Sequence, residues 1–294
     1  MTCAACGAAD LRPHLRVAGE AGAEGLIPTT DRFGVALGDF VRCAACGHLQ
    51  LEVMPSLELA DTESDDYELE EEGQRATARM ALAQIELHAH GRLLDFGCWV
   101  GFLASEAMAR GWEVVGVEPS RWAAERARAR GVEVVEEPSG TFDAVVLGDV
   151  IEHLPDPAAI LERVAPGGVV WLATPDAGSR IARALGKRWW SVIPTHVHLF
   201  TRRSMRALLE RNGFEVVAMG TSPKSFSVAY YLERLGGYWP PLARALVGAA
   251  RAAGVADRQW TPDFRDRFYV VARRKPRQDG ANRAAAQAPT AAAR

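Results

Sequence analysis

Apolar residues in the middle of the chain form short solid runs separated by helix-spaced patterns. A helix is predicted between the second and third of these runs, where Ser120 is placed to begin it and Gly131 to end it. Strands that alternate with helices predict a parallel sheet with helices on both faces. The five runs that predict buried strands are residues 92–96, 114–118, 132–136, 142–148 and 169–175.

The flanks of this region complete the predicted sheet. A helical pattern at 73–90 leads into the first strand, and a helix at 202–212 follows the fifth. A sixth strand begins at 214–217 and the last is expected at 267–272. The chain is therefore predicted to be an α/β protein with a Rossmann-like, seven-stranded, mostly parallel sheet. Residues 222–264 form a helical insertion before the last strand.

The turn after the first strand has the features of a nucleotide-binding turn. Asp95 precedes Gly97 and Gly101, and glycines let the backbone approach a ligand at the start of a helix. Glu118 ends the second strand about 20 residues further on, where an acid can bind ribose hydroxyls.

This stretch resembles motif I of the class I S-adenosylmethionine (SAM) dependent methyltransferases, acid-x-Gly-x-Gly-x-Gly. Asp95, Gly97 and Gly101 fit the pattern, and Trp99 takes the place of the middle glycine. We expect the indole to weaken or alter SAM binding without abolishing it. The resemblance implies a cofactor-binding set of Asp95, Gly97, Cys98, Trp99, Gly101, Glu118, Pro119 and Asp149.

Residues 142–157, F-D-A-V-V-L-G-D-V-I-E-H-L-P-D-P, resemble the motif IV region of ubiquinone-biosynthesis O-methyltransferases and sugar methyltransferases. The resemblance implies that Asp149 lines the methionine end of SAM and that Glu152 and His153 face the substrate. In the quinone enzymes the corresponding three residues are linked to a divalent metal, which implies such an ion at Asp149, Glu152 and His153 here. Alternatively, Glu152 and His153 cap and orient the following helix.

Residues 196–201, H-V-H-L-F-T, resemble the H-x-x-x-F-T stretch that closes the acceptor side in the same family. A histidine suits proton removal from an oxygen acceptor, because its pKa near 6.5 keeps the neutral base available. The candidate bases are His198 or His196, with His153 as the rival beside Glu152. One of the pair His196 and His198 is expected to be structural.

The implied reaction is in-line transfer of the SAM methyl group to a small-molecule acceptor. The acceptor atom is expected to be a hydroxyl or an acidic carbon of a sugar or secondary metabolite, and a nucleotide-linked sugar is expected by analogy. Two other readings stay open. Trp99 could fill the cleft and leave a pseudo-methyltransferase that acts as a zinc-ribbon interaction module. A dinucleotide-binding oxidoreductase shares the glycine turn but not motif IV.

Four of the five cysteines stand in two identical pentapeptides, C-A-A-C-G. Each C-x-x-C can present two thiolates to one ion, so Cys3, Cys6, Cys43 and Cys46 predict a closed structural Zn²⁺ site. Residues 1–55 are accordingly expected to form a zinc ribbon, with a redox pair as the alternative.

Charge and composition set the remaining expectations. A net charge of −3 and a pI near 6.2 argue against a nucleic-acid partner, and no apolar run is long enough to span a membrane. A cytoplasmic location is expected. Residues 56–72 form an acidic linker, unless Tyr67 belongs to a lid over the cofactor. The methyltransferase domain is expected at 73–276. Its insertion at 222–264 is expected to cap the acceptor pocket or to join two copies in a homodimer. Residues 277–294 are expected to be a disordered tail.

Overall fold

A computed structural model of the protein describes residues 1–17, 33–55 and 70–276. The strands are β1 (Leu11–Leu15), β2 (Phe40–Cys43), β3 (Leu49–Leu51), β4 (Arg92–Phe96), β5 (Glu113–Val117), β6 (Glu133–Val135), β7 (Phe142–Gly148), β8 (Val164–Pro175), β9 (His198–Leu199), β10 (Phe214–Thr221), β11 (Phe226–Ser227), β12 (Gln259–Trp260) and β13 (Arg267–Arg274). The helices are α1 (Glu71–Ile85), α2 (Phe102–Met108), α3 (Arg121–Ala129), α4 (Arg180–Leu185), α5 (Arg202–Arg211), α6 (Val228–Arg234) and α7 (Pro240–Ala252).

The central sheet has seven strands in the order β10-β13-β8-β7-β4-β5-β6. Strand β13 pairs antiparallel with both of its neighbours, and the other pairings are parallel. The sheet order reverses between β4 and β7, so the carboxyl ends of these two strands flank the crevice where such sheets bind ligands. The predicted fold class is confirmed.

The strands of this sheet are apolar along their length because helices cover both of its faces. Leu93, Leu94, Val145 and Val146 are fully buried, as expected for central parallel strands. Helix α3 begins where the sequence predicted, since the Ser120 hydroxyl accepts a hydrogen bond from the backbone N–H of Ala123.

The structure differs from the expectations in two places. The segment after β7 forms two 3₁₀ turns, at Ile151–His153 and Ala159–Arg163, so Glu152 and His153 do not cap an α-helix there. Strand β8 begins at Val164, before the predicted start at residue 169, and its pairing with β7 slips from Val164 to Val169.

The N-terminal residues form a small sheet in the order β1-β2-β3-β9. Its fourth strand comes from much further along the sequence, since β3 pairs antiparallel with β9 through Leu49 with Leu199 and Gln50 with His198. The ribbon therefore shares a sheet with the segment that precedes α5.

The insertion between β10 and β13 contains α6, α7 and the two-stranded β11–β12 ribbon. It contacts α1, since the hydroxyl of Ser227 donates to Glu70 and the backbone N–H of Ser225 donates to the Thr77 hydroxyl. Within the described ranges no helix has the length and apolarity needed to cross a bilayer. Most of the acidic linker, with Tyr67, and the tail at 277–294 lie outside the described residues.

Candidate functional site

The turn between β4 and α2 has a left-handed backbone at each position of its glycine pattern. Gly97 has φ 80° and Gly101 has φ 85°, and Trp99, which stands for the middle glycine, has φ 50°. A tryptophan in this conformation is strained by roughly 1–2 kcal/mol, because its Cβ approaches the backbone. The turn thus keeps the backbone shape of the glycine motif despite the substitution.

The Trp99 indole packs against helix α3. Its ring centroid lies 5.4 Å from that of Trp122, and the Arg126 guanidinium lies 3.8 Å from the centroid of the Trp122 ring. Both tryptophans belong to a small apolar cluster that includes Val100 and Phe102. The indole is therefore held by side chains of the fold.

Two acids lie at the strand ends beside this turn. The Glu118 carboxylate accepts hydrogen bonds from the backbone N–H groups of Trp99 (2.8 Å) and Ser120 (2.9 Å). Asp95 is buried, and its Oδ2 atom has no hydrogen-bond partner among the described residues. Burial, and then the charge of Glu118, raise the pKa of Asp95 to about 7. Burial also raises the pKa of the Cys98 thiol, which packs against Gly116 of β5.

Asp149, at the end of β7, is held between two cations that the sequence did not connect to it. Its carboxylate pairs with Lys224 from the insertion and with Arg267 at the start of β13. Burial alone would raise the pKa of Asp149, but the charges of Arg267 and Lys224 outweigh it and hold the pKa below its usual range. Asp149 also has a left-handed backbone, with φ 59°.

Glu152, His153 and His196 come together beside Asp149. One ligand atom of each lies within 4.8 Å of the others. The Nδ1 atom of His153 contacts the carbonyl oxygen of Thr195 at 2.9 Å, and Nδ1 of His196 contacts that of Ser191 at 2.8 Å. A carbonyl accepts only, so each Nδ1 carries the proton and each Nε2 keeps its lone pair.

Burial shifts the pKa values in this cluster toward the neutral forms. It lowers the pKa of His153 to about 4 and holds that of His196 well below its usual value. Burial, and then the charge of Asp149, raise the pKa of Glu152 to about 8. Glu152 is 1% exposed, and within the described part of the chain neither of its carboxylate oxygens has a hydrogen-bond partner.

His198 has a different environment from His196. Its ring is fully buried, with Nδ1 3.1 Å from Nε2 of His48 and Nε2 3.4 Å from the carbonyl oxygen of Pro155. His48 belongs to the N-terminal ribbon, so His198 lies in the contact between the ribbon and the central domain.

The four ribbon cysteines fit a single tetrahedral ion. Their sulfur atoms lie within 4.8 Å of one another, with Cys3 to Cys46 and Cys6 to Cys43 both at 3.6 Å. These separations are too long for disulfides and close to the ~3.8 Å expected between thiolates that each lie about 2.3 Å from a zinc ion.

A family model described as a methyltransferase domain matches residues 66–219, just over half of the chain. The match covers the glycine turn, both acids and the Glu152–His196 cluster. The chain belongs to this methyltransferase family.

Curated relatives match part of the chain. A ubiquinone biosynthesis O-methyltransferase from Xanthomonas oryzae is 36% identical over 111 residues, which cover 31% of this chain and 46% of the relative. The enzyme of that description from Caulobacter sp. strain K31 is 37% identical over 120 residues, 32% of this chain and 47% of the relative. The chain spans about half the length of the curated relatives it matches.

Solved structures similar to this chain include a magnesium protoporphyrin IX methyltransferase from Synechocystis PCC 6803 with bound S-adenosylhomocysteine. It is 14% identical, with a TM-score of 0.47 over 74% of this chain and 90% of that one. A SAM-dependent methyltransferase from Archaeoglobus fulgidus is 17% identical, with a TM-score of 0.47 over 69% and 94% of the two chains.

The glycine turn packs closely against the segment after β7. A Cβ at Gly97 would lie 2.5 Å from the Cγ2 atom of Val150, so only a glycine fits between the turn and this side chain. Glu118 is fixed by two backbone N–H groups, and an ionised Asp95 would add a negative charge near a cationic cofactor. Sequence reasoning missed Lys224, Arg267 and His48, whose separation along the chain from their partners gave no signal.

Proposed function

We propose that the protein transfers the methyl group of SAM to a small-molecule acceptor at the mouth of the cleft between β4 and β7. The observation that supports this most is the neutral histidine pair, His153 and His196, beside the strand end that carries Asp149. SAM supplies an already activated methyl group, so the protein must align the acceptor and remove its proton.

His153 or His196 is proposed to take that proton on Nε2. Each imidazole is oriented by a backbone carbonyl at Nδ1, which fixes its tautomer and leaves the Nε2 lone pair for the acceptor. His153 is the more accessible of the two, since it is half-buried and His196 is buried. Glu152 lies beside both rings and is proposed to tune them. His198 is proposed to be structural, since both of its nitrogens already have partners.

The proposed acceptor is a compound with an ionisable hydroxyl or acidic carbon. The curated relatives are named for ubiquinone biosynthesis and O-methyl transfer, which favours an oxygen atom. Aromatic residues of the insertion, Tyr231, Trp260 and Phe264, contact one another near Trp190 and offer an apolar wall for such a ring or sugar.

The first experiment is calorimetric titration of the purified protein with SAM, followed by a screen of phenols and nucleotide-linked sugars for SAM consumption. We expect saturable SAM binding and turnover with at least one acceptor class. A protein that binds no SAM at millimolar concentration would instead be the pseudo-methyltransferase alternative.

The second experiment changes the histidines one at a time in the presence of the acceptor found. His153→Asn and His196→Asn are expected to lower kcat by about 10²-fold or more for whichever histidine is the base. His88→Asn, on the connection between α1 and β4, is the matched control and should keep the wild-type rate. Wild-type rates in both site variants would exclude the proposed base.

A further inference from the structure

The cluster beside the cleft also has the construction of a metal site. We propose that Glu152, His153 and His196 bind a divalent transition-metal ion of the class that prefers imidazole, such as Zn²⁺, Fe²⁺ or Co²⁺. The three ligand atoms lie within 4.8 Å of one another. Three ligands about 2.1 Å from one ion lie about 3.4–3.6 Å apart in tetrahedral or trigonal geometry, so side-chain shifts of roughly an ångström close the site.

Both histidines have the support that metal-binding imidazoles have in proteins. Each donates its Nδ1 proton to a backbone carbonyl, that of Thr195 for His153 and that of Ser191 for His196. This arrangement fixes the ring and leaves Nε2 as the free donor of an electron pair. The two rings meet edge to face with centroids 4.6 Å apart, and one nitrogen of each ring lies within 4.8 Å of the other and of a Glu152 carboxylate oxygen.

Glu152 supplies the independent observation. Its side chain is 1% exposed, and among residues 1–17, 33–55 and 70–276 neither carboxylate oxygen finds a hydrogen-bond partner. Burying a carboxyl group with two unpartnered oxygens costs folding free energy. A bound cation removes that cost, because it neutralises the carboxylate charge and is coordinated by the oxygen lone pairs.

The ligand set differs from the one implied by the resemblance to quinone methyltransferases. That set uses Asp149, but here Asp149 is neutralised by Lys224 and Arg267, and a cation would compete with both. His196 takes the third position. Replacing a carboxylate by an imidazole changes the preferred ion from the oxygen-seeking Mg²⁺ to the nitrogen-binding transition metals.

Three protein ligands leave a position open, and half-buried His153 gives access to it from solvent. A bound ion would occupy the lone pairs of both rings, so the proposed base would act in the metal-free protein, whereas in the ion-bound protein the metal charge would instead lower the pKa of an acceptor hydroxyl. Ion binding is measured without SAM or acceptor, so this inference and the proposed methyl transfer can fail separately.

The test uses the full chain with its ribbon zinc in place. After dialysis against a mild chelator, the protein is titrated with Co²⁺ and followed by visible absorption and by calorimetry. We expect a further equivalent of Co²⁺ whose spectrum shows metal-centred bands without thiolate charge transfer, which separates it from exchange into the cysteine site. Zn²⁺ should displace this Co²⁺, and Mg²⁺ in large excess should not.

Each variant replaces a side chain by one of similar size, so that a loss of Co²⁺ binding reports the lost ligand and not unfolding. Glu152→Gln and His196→Asn should each weaken Co²⁺ binding by at least about tenfold, while Asp149→Asn and the control His88→Asn should keep the added equivalent. Thermal melting checks that each variant is folded. The proposal is overturned if the wild type takes up no Co²⁺ beyond the ribbon. It is also overturned if Glu152→Gln and His196→Asn bind like the wild type, or if Asp149→Asn alone abolishes binding.

Discussion

Trp99 shows how one residue can depart from a motif while the motif's shape is kept. Its backbone has the left-handed conformation of a glycine, and its N–H group is the donor that holds Glu118. Its ring packs against Trp122, a position that the sequence could not reveal because α3 lies beyond β5. The strain of the turn is offset by this apolar contact.

Trp99→Gly should therefore leave SAM affinity unchanged or higher. Glycine adopts φ 50° without strain and retains the N–H that binds Glu118. The lost ring contact should lower the melting temperature slightly. Calorimetric titration with SAM measures the affinity, and Trp122→Phe, which keeps the tryptophan at position 99, is the control. A collapse in the affinity of the glycine variant would mean that the indole itself contacts the cofactor.

Asp95 makes the stability of the ligand-free protein depend on pH. Its folded-state pKa of about 7 lies above its unfolded value near 3.9, so the folded state retains a proton that the unfolded state loses. Stability from this group is present below pH ~4 and falls as the pH rises through about 7.

Asp95→Asn removes this titration. Between about pH 5 and about pH 8.5, the asparagine variant should lose less unfolding free energy than the wild type, by about 2–3 kcal/mol. Urea unfolding of both proteins without SAM at the two pH values measures the difference. Parallel stability profiles would show that the buried carboxyl does not carry a raised pKa.

At the scale of elements, the β4–α2 turn fits tightly against the segment after β7. Gly97 must be a glycine for two reasons, its φ of 80° and the Val150 Cγ2 atom that a Cβ would approach to 2.5 Å. Gly111, in the turn between α2 and β5, has φ 88° but nothing within 4 Å of its added Cβ.

Alanine variants at Gly97 and Gly111 separate the effect of backbone strain from that of overlap with the Val150 side chain. Both Gly97→Ala and Gly111→Ala should lose about 1 kcal/mol for the left-handed backbone, whereas only Gly97→Ala also pushes on the stiff side chain of Val150. We expect Gly97→Ala to be the less stable in urea unfolding and to bind SAM at least about tenfold more weakly. Adding Val150→Ala should recover part of that loss. Equal behaviour of the two alanine variants would exclude the overlap.

The elements that the sequence predicted are those whose signals are local. Strand β4 and its acid, and the Ser120 cap, follow from periodicity and spacing within a few residues. The partners of Asp149 could not be predicted, because Lys224 and Arg267 reach it from elements distant in sequence. His198 likewise shared a motif with His196, and only the ribbon contact separates their environments.

For the whole molecule, the ribbon and the central domain are linked through β9. Leu51 donates a backbone hydrogen bond to Val197, whose own N–H donates to the carbonyl of Glu152. The Thr201 hydroxyl donates to the carbonyl of Cys46, and His48 contacts His198. The cysteine site is thus only a few bonds from the Glu152 cluster.

Removing a cysteine ligand from the predicted zinc site should loosen this link before it affects the cleft between β4 and β7. Cys43→Ser removes a thiolate ligand, so β2 and β3 lose their anchor and β9 loses its pairing partner. Hydrogen exchange followed by mass spectrometry should show faster exchange at residues 196–201, with β5 protected as in the wild type.

The matched control, Cys98→Ser, changes a buried cysteine outside the ribbon and should leave exchange in β9 unaltered. If exchange rises equally in β5 and β9, the ribbon supports the whole domain; if it rises in neither, β9 is held without the ribbon.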